Sequence, residues 1–340
     1  MKRKQFIISL FISIFLLSSC EEISIRTVVN KDGSFTRTIM VTGDSNEVLK
    51  SELPYPVDET WERTFLKDTT DNNDYILVYS KSFKSSKLLN REINRDTSWR
   101  KNLKRQIEVE KKFGFFYSYL VYRETIKAAN PFTKLDYKDY ISKEDLLWLS
   151  GKKLALNSSD SAKIDDAEKR AETYLQKAFT EEIIAALKKG VEQFNNRAIR
   201  PELIDEYRDS IALKIQDWDF KSAMDFVDYL AEWTNDNSVY KLKKTIPALF
   251  ENIDDDTKFI KDIFSMQAYK VYVEMPGIIT ETNSLSMNGG QAQWNVTASS
   301  ILIEDYVMLV ESRIVNYWMF ILTGIVLISF IGLILWKSRK

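Results

Sequence analysis

Histidine is absent from this 340-residue chain, and Cys20 is its only cysteine. Without histidine, the chain cannot contain a Ser-His-Asp triad, a histidine general base or a His-ligated zinc site. With one cysteine it cannot form an intramolecular disulfide bond. A chain of this length can bury an adequate hydrophobic core without one. These absences remove the commonest routes to catalysis, and the most informative segments that remain are the two ends.

The first 20 residues, MKRKQFIISLFISIFLLSSC, have the pattern of an export signal. Lys2, Arg3 and Lys4 precede an apolar stretch at residues 6–17, which is too short to span a bilayer comfortably. Residues 17–20, Leu-Ser-Ser-Cys, resemble the lipobox of bacterial lipoproteins. The resemblance implies that residues 1–19 are a signal peptide and that Cys20 is acylated, for example with palmitate, which would also exclude thiol chemistry. The alternatives are an uncleaved anchor and an ordinary signal peptide.

The other end is a long apolar segment. Residues 317–336 carry no charge, and at about 1.5 Å per residue they span about 30 Å, the thickness of a hydrocarbon core. Tyr317, Trp318 and Trp336 lie at its ends, where aromatic rings favour the headgroup region. The basic tail at residues 337–340 predicts a cytoplasmic C-terminus in a cytoplasmic (inner) membrane. The alternative, a buried core helix, would need a polar stripe that this segment lacks.

Charge is unevenly distributed along the chain. Six of the 48 basic residues lie in the two predicted cytoplasmic ends, so the part between them has 42 basic and 49 acidic residues, a net charge of −7. A negative surface of this kind disfavours nucleic acid and close contact with anionic lipid.

Periodicity predicts an α+β protein. Residues 20–137 and 266–312 alternate as strands do, and we expect them to form one antiparallel β-rich domain. Residues 138–265 have helical periodicity and are expected to form a large all-helical insertion. Strands are predicted at residues 23–29, 35–42, 75–80, 105–112, 115–126, 269–275, 278–282, 291–297 and 301–311. Helices are predicted at residues 142–151, 158–194, 201–215, 220–233, 239–250 and 257–264, and Pro247 leaves open a break in the fifth of these. Residues 43–74 are predicted to be loop.

Short motifs near both ends resemble LppM-like bacterial lipoproteins. They are the turn at residues 31–33, Lys-Asp-Gly, and a closing segment with residues 275–277, Met-Pro-Gly, residues 282–283, Thr-Asn, then Gly289 and Trp294. An apolar helix and a basic tail follow, as in that family. The resemblance covers the first 25 or so mature residues and the last 70 or so. It implies a β-rich exported domain displayed at a membrane and no enzymatic activity.

Candidate chemical motifs are few. The S-x-x-K pattern of histidine-free hydrolases occurs at Ser150/Lys153 and Ser238/Lys241, but the S-D-N and K-T-G partners are absent. Residues 254–256, Asp-Asp-Asp, lack the spacing of an EF-hand and are interpreted as a solvated helix start. A pair of carboxylates for glycoside hydrolysis stays open, because the sequence cannot select a pair. No cofactor or metal is predicted.

Two apolar groups allow two interpretations each. The aromatic side chains at residues 115–122 (Phe115, Phe116, Tyr117, Tyr119 and Tyr122) either fill the core or line a ligand cavity. The helical stripe at residues 175–194 (Leu175, Phe179, Ile183, Leu187, Val191 and Phe194) either packs inside its own unit or forms an exposed docking site.

The function predicted from the sequence is a non-enzymatic, membrane-anchored lipoprotein that binds or scaffolds on the extracytoplasmic side of the cell envelope. The expected partners are the membrane and an envelope protein, and no nucleic acid. The alternatives are a lipid-binding or lipid-transfer module with an aromatic-lined cavity, and a histidine-independent envelope hydrolase.

Overall fold

A computed structural model describes residues 21–68, 75–153, 157–194, 200–217, 219–245, 247–288 and 290–338. Cys20 and the predicted signal peptide lie outside these residues. The fold is α+β, with β-sheets built from both ends of the chain, a large helical insertion and one apolar C-terminal helix, as the sequence predicted. The chain divides into two units. One is β-rich and contains residues up to Ile126, Gln267–Thr297 and residues from Tyr306 onward; the other contains Lys127–Met266 and Ala298–Asp305.

A seven-stranded sheet joins the two ends of the chain in the β-rich unit. Its strands are β1 (Glu22–Val29), β2 (Phe35–Gly43), β3 (Glu62–Lys67), β4 (Tyr75–Phe83), β7 (Tyr269–Glu274), β9 (Ser286–Asn288) and β10 (Gln291–Val296). The strand order is β3-β4-β2-β1-β7-β10-β9. The β1–β7 pair is parallel, with Ile25 opposite Val271, and it departs from the expected antiparallel pattern. Gly33 has φ 90° in the β1–β2 turn, a conformation that glycine adopts at low cost.

A four-stranded sheet completes the β-rich unit. Its strands are β5 (Arg105–Phe113), β6 (Tyr117–Ile126), β8 (Ile278–Thr282) and β11 (Tyr306–Val315), in the order β5-β6-β11-β8. The strand richest in aromatic residues, β6, lies between β5 and β11 and is therefore a central strand. In both β2 and β6 alternate residues are buried, so each of these strands turns one face inward.

The second unit is helical. Its helices are α3 (Lys143–Leu149), α4 (Ser158–Phe194), α5 (Pro201–Glu206), α6 (Arg208–Gln216), α7 (Asp225–Thr234), α8 (Leu242–Thr245), α9 (Pro247–Ser265) and α10 (Ala298–Leu302). Two short helices, α1 (Ser45–Lys50) and α2 (Ser86–Ile93), belong to the β-rich unit. The stripe on α4 packs inside the helical unit, where Phe179, Ile183, Leu187 and Val191 are buried and Leu175 is partly buried. The side chain of Phe194 lies outside the described residues.

Several predicted boundaries differ from the structure. The strand predicted at residues 301–311 begins only at Tyr306, and the segment before it forms α10 in the helical unit. Residues 127–137 also belong to the helical unit, since the amides of Ala129 and Asn130 donate hydrogen bonds to the carbonyls of Ile301 and Leu302. The helix predicted at residues 201–215 is interrupted at Tyr207. The predicted loop at residues 43–74 contains α1 and β3, and residues 69–74 lie outside the described ones.

The chain ends in α11 (Tyr317–Ser338), which begins two residues after β11. In the described part of the chain, this is the one helix long and apolar enough to cross a membrane. Its side chains are almost all exposed, so α11 is not the core helix considered as the alternative.

Candidate functional site

The β-rich unit contains a group of buried charged and phenolic side chains, called here the buried charge cluster. Its members are Arg37, Tyr55, Arg105, Tyr122, Glu124 and Tyr269. Arg37 is on β2 and Tyr269 on β7, so both belong to the seven-stranded sheet. Arg105, Tyr122 and Glu124 belong to the four-stranded sheet. The cluster therefore connects the buried faces of the two sheets.

Glu124 is the hub of this cluster. One carboxylate oxygen, Oε2, accepts hydrogen bonds from Arg37 Nη2 at 2.9 Å and from the Tyr122 hydroxyl at 2.6 Å. The other, Oε1, accepts a hydrogen bond from the Tyr55 hydroxyl and lies 3.6 Å from Arg105 Nε. Glu124 thus meets four other members of the cluster through a single carboxylate.

Tyr55 is held between the two guanidinium groups. The Cζ atoms of Arg37 and Arg105 each lie 3.9 Å from the centre of its ring, a distance typical of cation–π contacts. Arg105 also donates from Nη2 to the Tyr269 hydroxyl at 2.8 Å and from Nη1 to the Pro54 carbonyl at 3.2 Å. These contacts fix the segment around Tyr55 against both sheets.

Two guanidinium groups share one carboxylate in this cluster. Burial alone would raise the pKa of Glu124, but the charges of Arg37 and Arg105 and the hydrogen bonds of Tyr122 and Tyr55 hold it below its ordinary value. Burial raises the pKa of Tyr55 and of Tyr122, so both phenols stay protonated and can donate to Glu124. The cluster then carries one net positive charge. Glu124 and Arg37 are fully buried, so the ion pair between them does not meet solvent.

An open cleft of about 610 Å³ has Tyr55 in its lining. Four aromatic residues, Tyr55, Trp61, Tyr79 and Trp99, line it together with Arg63 and Arg100. The indole Nε1 of Trp61 and the hydroxyl of Ser51, also in the lining, are buried and accept or donate no hydrogen bond within the described residues. Aromatic faces combined with a few charged groups suit a ligand that has both apolar and polar parts.

Arg100 shapes one wall of this cleft. Its Nη1 donates to the Leu53 carbonyl at 2.7 Å, and its Nε donates to Asp96 Oδ2 at 2.6 Å. Trp99 and Arg100 lie in a 3₁₀ helix, Trp99–Asn102, which Ser98 caps by accepting a hydrogen bond from the amide of Arg100. The wall is therefore preorganised by backbone and side-chain contacts.

A second cleft, of about 480 Å³, lies in the helical unit. Its centre is Asp145, which accepts hydrogen bonds from Arg170 Nη2 at 2.6 Å and Nε at 3.0 Å, and from the amide of Ser142 at 2.9 Å. Ser142 and Asp145 form a capping box at the start of α3. Trp148 lines the cleft beside them. The polar groups at its centre are already engaged with each other, which leaves this cleft less open to a ligand.

The Ser/Lys pairs singled out in the sequence are engaged in local contacts. Lys153 Nζ lies 3.0 Å from Glu144 Oε1. The Ser238 hydroxyl donates to Asp236 Oδ2 at 2.8 Å, and Asp236 caps the 3₁₀ helix Asn237–Lys241 in which Ser238 lies. Ser150 donates weakly to the Leu147 carbonyl, at 3.4 Å. In neither pair does the structure give a serine-to-lysine hydrogen bond.

The interpretation of residues 254–256 as a helix start is wrong. Helix α9 begins at Pro247, so the three aspartates lie in its middle. Asp254 Oδ1 accepts a hydrogen bond from the amide of Ala223 at 2.6 Å. Burial and neighbouring acids raise the pKa of Asp254 and of Asp256. No group of three or more potential metal ligands forms among the described residues.

The aromatic side chains at residues 115–122 do not act as one group. Tyr122 is fully buried in the charge cluster, Tyr119 is half-buried, and Phe115 is 56% exposed at the β5–β6 turn. Phe116 and Tyr117 contact Phe320 at the start of α11. They do not line the cleft, which is formed by other aromatic residues. Neither sequence interpretation therefore holds for the whole group.

Sequence reasoning missed the buried charge cluster. The signal in the sequence was the position of these residues in the alternation of each strand. Arg37 is at an inward-facing position between Phe35 and Ile39 of β2, and Glu124 is at one between Tyr122 and Ile126 of β6. A charged residue at an inward position of an alternating strand predicts a buried ion pair. Which arginine pairs with which acid depends on long-range packing, which alternation does not encode.

The chain was compared with protein-family models, curated proteins and solved structures. No protein-family model matches the chain, and no curated protein matches it. Among solved structures, the folded domain of LppM from Mycobacterium tuberculosis, determined by NMR, aligns with 87% of this chain and 91% of its own. The identity is 8% and the TM-score is 0.27. A likeness at this TM-score carries no argument about the fold, ligand or partner of this chain.

Proposed function

We propose that this protein is a membrane-anchored binding module of the bacterial cell envelope. In this proposal α11 spans the cytoplasmic membrane, the β-rich and helical units lie on its outer side, and Cys20 carries a second, lipid anchor. The observation that carries the proposal is α11 itself: 22 residues, apolar, exposed along its length and following directly on a core strand. Lys337 at its far end supports a cytoplasmic C-terminus.

Two anchors would hold the module at the bilayer surface. One acyl chain alone gives marginal membrane binding, whereas a spanning helix is effectively permanent. Restricting a binding site to a surface raises its effective concentration for partners in the same membrane. Binding in place of catalysis is supported by the local engagement of Ser238 with Asp236 and of Lys153 with Glu144.

The anchors can be tested separately by four variants expressed in bacteria and fractionated after alkaline extraction. The variants either keep residues 1–20 or carry an ordinary cleavable signal peptide in their place. Each of these two forms is made with α11 and with the chain ended after Asn316, which gives the four variants. We expect the three variants with at least one anchor to stay in the membrane pellet and the variant with neither to be soluble. Palmitate incorporation should depend on Cys20. A soluble variant that retains α11 would contradict the proposal.

A second candidate function, lipid binding, is favoured by the aromatic cleft of about 610 Å³ in the β-rich unit. Trp99 is half-exposed on its wall, and its ring is available to a ligand. Native mass spectrometry of the full chain in detergent, with a Trp99→Ala variant as the control, tests this function. A stoichiometric lipid adduct lost in the variant would support lipid binding. A bare mass would favour an envelope protein as the partner, to be sought by cross-linking in native membranes.

A further inference from the structure

Two turns flank the point where α11 leaves the β-rich unit. Val315, the last residue of β11, pairs with Tyr117, the first residue of β6, so the β5–β6 turn lies beside the start of the helix. Ile278, the first residue of β8, pairs with Arg313, and this brings the β7–β8 turn to the same end of the sheet. The helix thus emerges between two strand turns and not from an isolated terminus.

Asn316 ties the β5–β6 turn to the helix. Its Nδ2 donates to the carbonyls of Gly114 at 2.9 Å and Phe115 at 3.3 Å, and its amide donates to the carbonyl of Phe116 at 2.8 Å. Its Oδ1 accepts a hydrogen bond from the hydroxyl of Ser118 at 3.0 Å. Four hydrogen bonds from the single residue that precedes α11 hold the turn in place, so the turn and the first turn of the helix form one rigid element.

The side chains at this junction are aromatic and exposed. Phe113, the last residue of β5, is 64% exposed, and Phe115 on the turn is 56% exposed. On the helix, Tyr317 is 72% and Trp318 56% exposed. These four residues are called here the aromatic collar. The rings of Phe113 and Trp318 stack with centroids 6.2 Å apart. The collar continues the apolar surface of α11 sideways onto the domain, and large exposed apolar patches of this kind mark interaction sites.

Basic residues accompany the collar. Lys111 and Lys112 are exposed on β5 close to the turn, and Arg313 lies with its Cζ 4.6 Å from the centre of the Tyr117 ring. Aromatic rings with adjacent Lys and Arg are the side chains that favour the headgroup region of a bilayer.

We propose that the aromatic collar inserts into the headgroup region of the bilayer and fixes the β-rich unit against the membrane surface. This rests on the proposed function, because it requires α11 to span the same bilayer. The ligand is the lipid interface itself, and the expected depth of Phe115 is about 5–10 Å, as for other interfacial apolar side chains. The domain is then held rigidly at a set distance from the membrane, in contrast to a domain on a flexible linker.

The test uses the fact that Cys20 is the only native cysteine. Full-length Cys20→Ser protein with Phe115→Cys is labelled with an environment-sensitive fluorophore and reconstituted into vesicles of phosphatidylglycerol and brominated phosphatidylcholine. Leu66→Cys is the matched control. Leu66 is 53% exposed on β3 of the same unit, at the end of the seven-stranded sheet opposite to the β1–β2 turn, and that turn lies on the collar side because Lys111 Nζ donates to the Lys31 carbonyl at 2.9 Å. Ile278→Cys, 61% exposed on the other turn, covers the case in which Phe115→Cys does not fold.

The proposal expects strong quenching of the label at position 115 or 278 by brominated lipid and none at position 66. Protein that floats with the vesicles while the labels at positions 115 and 278 stay unquenched would overturn it and leave the proposed function intact. Quenching at position 66 as well would overturn it too, since the domain would then lie flat on the bilayer. Protein that does not float with the vesicles would overturn the membrane-spanning role of α11 itself.

Discussion

Replacing Glu124 by glutamine tests whether the buried charge cluster holds the two sheets together. Glutamine keeps the size of the side chain but removes the only carboxylate in the cluster. Arg37, 0% exposed, and Arg105, 2% exposed, then have no counter-charge. Breaking a buried ion pair in this way costs about 3–5 kcal/mol. Since about 1.4 kcal/mol is a factor of ten, the opening of β6 should become about two to four orders of magnitude more frequent.

Hydrogen exchange measured by mass spectrometry on the full-length protein in detergent reports this opening. Peptides from β2 and β6 should exchange faster in Glu124→Gln, and peptides from α4, in the other unit, provide an internal reference. The matched control is Glu274→Gln. Glu274 also pairs with an arginine, Arg26, at 2.5 Å, but this pair is exposed and is expected to contribute about 0–1 kcal/mol.

The two variants make the outcome decisive. Protection of β6 that falls in Glu124→Gln and is unchanged in Glu274→Gln would support the cluster as the connection between the sheets. If β6 is as well protected in Glu124→Gln as in the unsubstituted protein, the reasoning is refuted, because two buried guanidinium groups would then tolerate the loss of their only counter-charge.

Further predictions concern pH, a turn and a helix cap. Because folding lowers the pKa of Glu124, its contribution to stability is complete above the ordinary carboxyl pKa and is lost as the pH falls through the folded value. Unfolding followed by circular dichroism should show that the free energy of unfolding falls at acid pH, and that it falls less in Glu124→Gln. Gly277→Ala would place Cβ 2.3 Å from the carbonyl oxygen of Arg313. Gly33→Ala is the control, because Gly33 has nearly the same positive φ but open space around it, and this change should cost about 1 kcal/mol. Gly277→Ala should therefore destabilise the protein by well over about 1 kcal/mol, measured as faster hydrogen exchange in β8. Asp145→Ala removes one half of the capping box and both hydrogen bonds from Arg170, and should lower the stability of α3 by about 1–2 kcal/mol, measured as faster exchange there.

Patterns that depend on near neighbours in the chain predicted the structure well. The alternation of β2 and the helical stripe of α4 are local, and both elements formed as expected. β3 was missed because all six of its residues are exposed, so it has no alternation to detect. α10 was predicted as strand because a short apolar run at residues 301–303 is equally compatible with either structure.

Contacts between distant parts of the chain could not be predicted from pattern. The parallel pairing of Ile25 with Val271 brings together residues from distant parts of the chain, and no local signal selects it. The same is true of Glu124 and its partners Arg37 and Arg105, which belong to different strands and sheets. The cleft is assembled from residues of a loop, two strands and a 3₁₀ helix, so its existence follows from packing alone.

The central claim is that α11 crosses the membrane and leaves the β-rich unit outside the cytoplasm. Labelling of single cysteines with a membrane-impermeant maleimide in intact spheroplasts tests it most directly. In a Cys20→Ser background, Leu66→Cys reports on the β-rich unit and Ser338→Cys on the far end of α11, and both positions are exposed. The account predicts labelling at position 66 in intact spheroplasts and at position 338 only after lysis. Labelling at position 338 in intact spheroplasts, or protection of position 66, would contradict it.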